Sequence, residues 1–130
     1  MSYNYNHTTL VGRLTKDPES IQVSNSLSKT FFTIAIDRAF KKEDGTSETD
    51  FVPITLWARQ AEIAFQILKK GNPVLISGRI QVRHYEKDNE RKWKTEVIGD
   101  NFQLLERIKK LGSRDPIEEP LKKAKQMKFT

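Results

Sequence analysis

Apolar and polar residues alternate along most of the first hundred positions, which is the period of half-buried β-strands. His7 to Leu14 reads as a strand, with Leu10, Val11 and Leu14 turned inward around Gly12. Asp17-Pro18 marks a turn. From Thr30 to Phe40, Phe32, Ile34 and Ile36 share one parity and Thr33, Ala35 and Asp37 the other, while Phe31 interrupts the pattern. Residues 41–48 form a polar loop containing the turn-forming pair Asp44-Gly45. In the next strand, Thr49 to Arg59, Val52, Ile54 and Leu56 face the core. Phe51, Pro53, Thr55, Trp57 and Arg59 take the opposite face. Pro53 has no N–H to give, so this strand is expected at an edge or interrupted there.

At Gln60 the period changes. Ala61, Ala64, Phe65 and Leu68 fall on one helical stripe, and Lys69, Lys70 and then Gly71 close a helix over 60–70. Pro73 to Tyr85 returns to strand, with Val74, Ile76, Ile80 and Val82 inward and Ser77, Arg79, Gln81, Arg83 and Tyr85 outward. Glu86 to Lys92 is a charged hairpin tip that turns at Asp88-Asn89. Trp93 to Leu105 is the last strand, with Val97, Phe102 and Leu104 or Leu105 in the core. The order is three strands, one helix, two strands. A small antiparallel sheet must hide its edges. Closure into a five-stranded barrel, with the helix between the third and fourth strands, is the oligonucleotide/oligosaccharide-binding (OB) arrangement. The fold class expected is therefore all-β.

A chain of 130 residues holds one domain of this kind. We place it at 1–111, with 112–130 as a basic, Pro-interrupted tail expected to be disordered apart from a marginal helix over 121–127. The formal charge of +6 divides unevenly. Residues 1–106 carry 15 Lys and Arg against 14 Asp and Glu, whereas 107–130 carry 8 against 3. Net charge alone is thus weak testimony for a polyanionic partner. The absence of cysteine excludes disulfides, a thiol nucleophile and zinc–thiolate sites. His7 and His84 lie far apart, so no histidine metal site, catalytic base or cofactor is expected, and His84 reads as an ordinary surface residue. No stretch is apolar enough to span a membrane, and Met1 to Asn6 does not resemble a secretory signal. The expected location is cytoplasmic and nucleoid-associated.

The informative chemistry lies on the faces turned from the core. Phe51 and Trp57 point the same way about 20 Å apart along one strand, too far to pack on each other. Tyr85 sits outward beyond Arg79 and Arg83, and Phe40 lies beside Lys41 and Lys42. Exposed rings call for a cover. A second subunit would provide one. So would a row of nucleobases, since any base offers a π-face to an aromatic ring while nearby cations meet the phosphates. Phe40 also suits a role as a loop staple, and Tyr85 as a partner of Trp93 across the hairpin. Candidate phosphate contacts are Arg38, Lys41, Lys42, Arg59, Arg79, Arg83 and Lys87. No cluster suited to bidentate base reading appears, so little sequence preference is expected.

The same residues carry a family likeness. From Asn6 to Leu105 the chain resembles bacterial-type single-stranded DNA-binding proteins. The matching segments include His7-Thr8-Thr9-Leu10-Val11-Gly12-Arg13-Leu14 with Asp17-Pro18-Glu19, Phe32-Thr33-Ile34-Ala35, and Thr49-Asp50-Phe51 through Leu56-Trp57. Leu68-Lys69-Lys70-Gly71, Val74 to Ile80 and Thr95-Glu96-Val97 continue the match. The resemblance implies a five-stranded barrel, a homotetramer, no enzymatic activity, and the wrapping of single-stranded DNA in replication, recombination and repair. By position, Phe40, Phe51 and Tyr85 stand where the family often has Trp, and Trp57 where it usually has Phe. The family's acidic tip ending in Pro-Phe, which docks replication and repair proteins, is missing. This chain finishes Lys122-Lys123-Ala124-Lys125-Gln126-Met127-Lys128-Phe129-Thr130.

Two other readings use the same features. One is a protein-interaction module, like the primosomal protein N relatives of this family, with the exposed rings as interface residues. The other is a nuclease, disfavoured because Asp37, Asp44, Asp50 and Asp88 lack metal-ligand spacing. The basic tail is expected to add to DNA affinity. Deleting 112–130 should weaken oligonucleotide binding and flatten its salt dependence in titrations at several ionic strengths. Unchanged or tighter binding would contradict that role.

Overall fold

The computed structural model describes residues 3–105, which form six strands and one helix in the order β1 (Thr8–Leu14), β2 (Glu19–Ser24), β3 (Leu27–Lys41), β4 (Ser47–Trp57), α1 (Ala58–Ile67), β5 (Pro73–Lys87) and β6 (Glu90–Leu104). The sheet order is β1-β5-β6-β4-β3-β2, and β1 also pairs with β3. Strands β1, β5, β6, β4 and β3 are thereby joined in a circuit of pairings, with β2 added outside β3. All pairings are antiparallel except a short parallel contact, Ile54↔Val97 and Thr55↔Ile98, between β4 and β6.

Alternation decides what lies inside. On β3 and β4, Phe32, Ile34, Ile54 and Leu56 are buried, as their parity predicts. Val74 and Ile76 of β5 and Val97 of β6 meet them. Helix α1 packs on this core through Ala61 and Ala64, whose small side chains let the helix approach closely. A buried hydrogen bond from Thr30 Oγ1 to the Ala61 carbonyl, 2.7 Å long, ties it to β3. The helix is displaced from its expected span and covers 58–67. Ala58, at φ 57°, turns the chain directly from β4 into it. Arg59 therefore stands in the helix's first turn and not on the outer face of a strand. Leu68 is extended, and a turn closed by the Asn72 N–H donating to the Lys69 carbonyl, with Gly71 at φ 89°, returns the chain to β5.

Pro53 sits opposite Thr33 of β3. The Thr33 carbonyl is already taken by the backbone N–H of Thr15, at 2.9 Å, and by its hydroxyl. The missing N–H of Pro53 is therefore not needed on that side. On its other side β4 meets β6 only at Ile54 and Thr55, so the interruption expected from Pro53 is present. The β5–β6 turn also follows the sequence. Asp88 and Asn89 both have positive φ, joining Lys87 to its partner Glu90 in a tight turn of the twist that hairpins favour.

Several expectations need correction. Six strands are present where five were expected. The extra one, β2, is exposed at every residue and pairs only with β3, so it lacks the buried face that marks a strand in sequence. Val11, Phe65, Ile80 and Val82 are exposed, not inward. Ile80 and Val82 lie where β5 and β6 run past the core as an arm. Ile98 is buried although its parity was not assigned to the core. It stands in a run, Glu96 to Gly99, buried on both parities just before a bulge that shifts register from Gly78↔Gly99 to Ser77↔Asn101. The expected tail over 112–130 and its helix lie outside the described residues.

The bulge depends on Gly78, where an added Cβ would press into the backbone carbonyl of Ile98. Backbone cannot yield as a flexible side-chain tip can. Gly78→Ala should therefore destabilise the protein by about 1–3 kcal/mol, read as a lowered denaturation midpoint. An unchanged midpoint would show that the bulge can relax.

Candidate nucleic-acid interface

The outer faces of β3 and β4 are built by register. Lys29 stands opposite Trp57, Phe31 opposite Thr55, Thr33 opposite Pro53 and Ala35 opposite Phe51. Trp57 is 37% exposed and Phe51 64% exposed, so the indole is outside the core while its strand neighbour Leu56 is fully inside. Phe40 and Tyr85 are also exposed. They lie on two different arms, the β3–β4 hairpin and the β5–β6 hairpin. Phe51 and Trp57 thus share one face, while Phe40 and Tyr85 extend from it on either hairpin.

The cations divide into paired and unpaired groups. The Arg38 guanidinium donates to both oxygens of Asp50, at 2.9 and 3.2 Å, and to Glu48 at 2.6 Å. Lys42 reaches the same Glu48 at 3.1 Å. Hydrogen bonding to Arg38 holds the Asp50 carboxyl below its usual range, and Asp50 in turn raises Arg38. All four groups are solvated, so the cluster adds little stability, but its cations are already matched to carboxylates. Arg83 Nε donates to Glu96 at 2.7 Å. Lys41, Arg59, Arg79 and Lys87 have no salt bridge among the described residues.

Glu96 is the exception to the surface character of these pairs, being only 5% exposed. Its other oxygen accepts a 2.8 Å hydrogen bond from Thr55. Thr55, Glu96 and Arg83 thereby link β4 to the β5–β6 hairpin at the short seam between β4 and β6. Burial pushes the Glu96 carboxyl upward, but the Thr55 and Arg83 hydrogen bonds and the charges of Arg83 and Lys94 outweigh it, leaving the group below its ordinary value. Beside this seam lies a groove of about 180 Å³ bounded by Ile21, Lys29, Phe31, Thr55, Arg83 and Lys94, among others.

Three features were not legible as site chemistry. Phe31, which broke the strand pattern, is on the outer parity facing this groove. Lys29 places its ammonium 5.8 Å from the Phe31 ring centroid and 5.6 Å from that of Trp57. Trp93 is 62% exposed. Tyr85 does not pair with Trp93 across the hairpin. It stands opposite Lys92, and Trp93 meets His84 edge-on at 5.8 Å between ring centroids. His84 is exposed, as the sequence suggests, and is in addition the aromatic partner of Trp93. The signal for Phe31 was its parity with Phe51 and Trp57 once β3 and β4 are paired. Among the described residues no cluster of His, Asp and Glu could hold a metal ion, and no helix is long and apolar enough to cross a membrane.

A sheet whose inner face is sealed by its own strands and one helix, and whose outer face shows rings beside cations, defines a binding module for an extended, charged, ring-bearing polymer. The Single-strand binding protein family model matches residues 5–105, and the chain belongs to that family. It is 48% identical over 103 residues to Single-stranded DNA-binding protein 2 of Clostridium acetobutylicum, covering 78% of this chain and 77% of the relative. It is 41% identical to Single-stranded DNA-binding protein 1 of Streptococcus pyogenes serotype M18, covering 78% of this chain and 79% of that one. Among solved structures, a deletion mutant of the single-stranded DNA-binding protein from Thermus aquaticus superposes with a TM-score of 0.66 at 30% identity. That match covers 78% of this chain and 51% of the Thermus chain.

The seam makes a pH-dependent prediction. With its folded pKa below the unfolded value of about 4.3, ionised Glu96 stabilises the fold above that value. The contribution is lost as pH falls through the folded pKa. Glu96→Gln should cost about 1–3 kcal/mol near neutral pH, toward the lower figure because Arg83 is half exposed. The gap from wild type should narrow as pH falls below the ordinary glutamate range, as read by denaturant unfolding. A gap independent of pH would remove charge from the explanation.

Proposed function

We propose that this chain binds single-stranded DNA without sequence preference, stacking bases on Phe40, Phe51, Trp57 and Tyr85. The observation that carries this is the exposure of Trp57 and Phe51 on one strand face whose opposite face is the core. Stacking tolerates any base and contributes about 1–3 kcal/mol for each, which suits a module that lacks a base-reading cluster. Lys41, Arg79 and Lys87 are open cations for phosphate. Arg38, Lys42 and Arg83 reach phosphate by sharing or exchanging their carboxylate partners. Arg59 approaches from the start of α1, not from the strand face.

In this reading residues 1–111 are the binding domain and 112–130 a basic extension. The circuit of β1, β5, β6, β4 and β3 corresponds to a five-stranded OB barrel, with β2 as an addition. The protein acts as a non-enzymatic coat on DNA in replication, recombination and repair, in the cytoplasm at the nucleoid. The membership of the family and the apolar residues exposed on β1 and β5, Val11, Ile80 and Val82, support a homotetramer.

A titration of protein of known mass with poly(dT), followed by tryptophan fluorescence, tests the reading and reports site size. Quenching on binding is expected, with affinity falling steeply as salt rises. Trp57→Ala should weaken binding by about 1–3 kcal/mol and reduce the quench. Wild-type affinity and quench in that variant would remove Trp57 from the stacking set.

A further inference from the structure

We infer that Lys29 and Phe31 form a further nucleotide subsite beside Trp57, in which the Lys29 ammonium covers the rings of the free protein and moves to a phosphate when a base enters. The inference rests on the proposed DNA-binding role and adds to it a pair of residues on a different strand from Trp57.

The placement comes from register and charge. Phe31 lies on the outer face of β3, opposite Thr55, and Lys29 lies opposite Trp57. Phe31 and Trp57 are therefore diagonal neighbours across the β3–β4 pair. One ammonium is held within 6 Å of both rings, a distance at which a cation is attracted to an aromatic face. The ring faces offered to a base are thus covered by a group that can leave without breaking an ion pair, since Lys29 has no salt bridge among the described residues.

The adjoining groove suits what would displace it. At about 180 Å³ it is smaller than the ~300–1,000 Å³ of pockets for drug-sized ligands, which leaves room for one flat ring system. Phe31 lines one side. Lys29, Arg83 and Lys94 also line the groove, three cations beside the single carboxylate of Glu96. Glu96 keeps Arg83 in place through Nε, leaving its two terminal nitrogens for phosphate oxygens. A base entering against Phe31 exchanges a cation–π contact for a stack. The freed Lys29 side chain is long enough to follow the backbone of the same nucleotide.

Two variants separate the parts. Phe31→Leu retains an apolar side chain on the strand and removes the π-face, and is expected to weaken oligo(dT) binding about 5- to 50-fold with little change in melting temperature. Lys29→Gln is expected to lower the slope of log K against log salt by about 0.7, the value of one phosphate contact on a single strand. In a Trp93→Phe background, where Trp57 is the sole tryptophan, Lys29→Gln should also change the emission of the free protein. Wild-type affinity in Phe31→Leu, or an unchanged salt slope in Lys29→Gln, would overturn the inference. If Phe31→Leu does not fold, the Lys29 slope decides it. Wild-type protein that ignores oligo(dT) would defeat the proposed function itself. Binding by wild type with no effect of either variant would defeat only this subsite.

Discussion

Ile54 and Leu56 have no accessible surface, and Thr55 and Trp57 sit between and beyond them on the same strand. A β-strand turns successive side chains to opposite faces, so Trp57 points away from the core that seals Ile54 and Leu56, while Thr55, on the same outer parity, is itself buried against Glu96. The fold supplies the inner face with Phe32, Ile34, Val74 and Ile76, and with a helix whose alanines press against it. The outer face is closed only locally, where Glu96 covers Thr55, and stays exposed at Phe51 and Trp57. The rings on that face are held by the core packing behind them while their own surfaces remain available. Core and outer face are two consequences of one alternation, and a register slip in β3–β4 would exchange them.

Where that alternation met a buried face, the sequence was readable. Phe32, Ile34, Ile54 and Leu56 were assignable because inner and outer residues differ in kind. The β5–β6 turn was readable because Asp88-Asn89 tolerates the positive φ it requires. Legibility failed where one of these contrasts was missing. Strand β2 has no buried residue, so Ile21 and Val23 lack the polar-out, apolar-in contrast that would distinguish them from loop. Ile80 and Val82 keep the inward parity of Val74 and Ile76, but β5 has by then left the core, and parity alone does not report how far a core extends. Arg59 was misplaced because the strand-to-helix change occurs at Ala58, in a backbone conformation that its sequence does not advertise.

The site was legible in its rings and less so in its charges. Exposure of Phe51 and Trp57 follows from parity. The pairing of Arg38 with Asp50 and Glu48 depends instead on which residues face each other across β3 and β4, information that enters only with register. The same holds for Lys29, whose position over Phe31 and Trp57 arises from strand pairing and not from any local motif. Phe31 appeared as a defect in an amphipathic pattern. In the paired sheet it belongs to the outer row.

These charge pairings bear on how such a face holds a polyanion. Three of the seven cations first assigned to phosphate contact, Arg38, Lys42 and Arg83, already have carboxylate partners. Residues 1–106 are close to electroneutral, and most of the excess positive charge falls in 107–130. A broad positive field is therefore not what the sheet offers. In the proposed role, attraction for nucleic acid is short-ranged, acting where a base can cover a ring and a phosphate can come within reach of Lys29, Lys41, Arg79 or Lys87. In that role the face would favour unpaired bases: in a duplex the base faces are already stacked, and its phosphates alone would meet residues 1–106 close to electroneutrality.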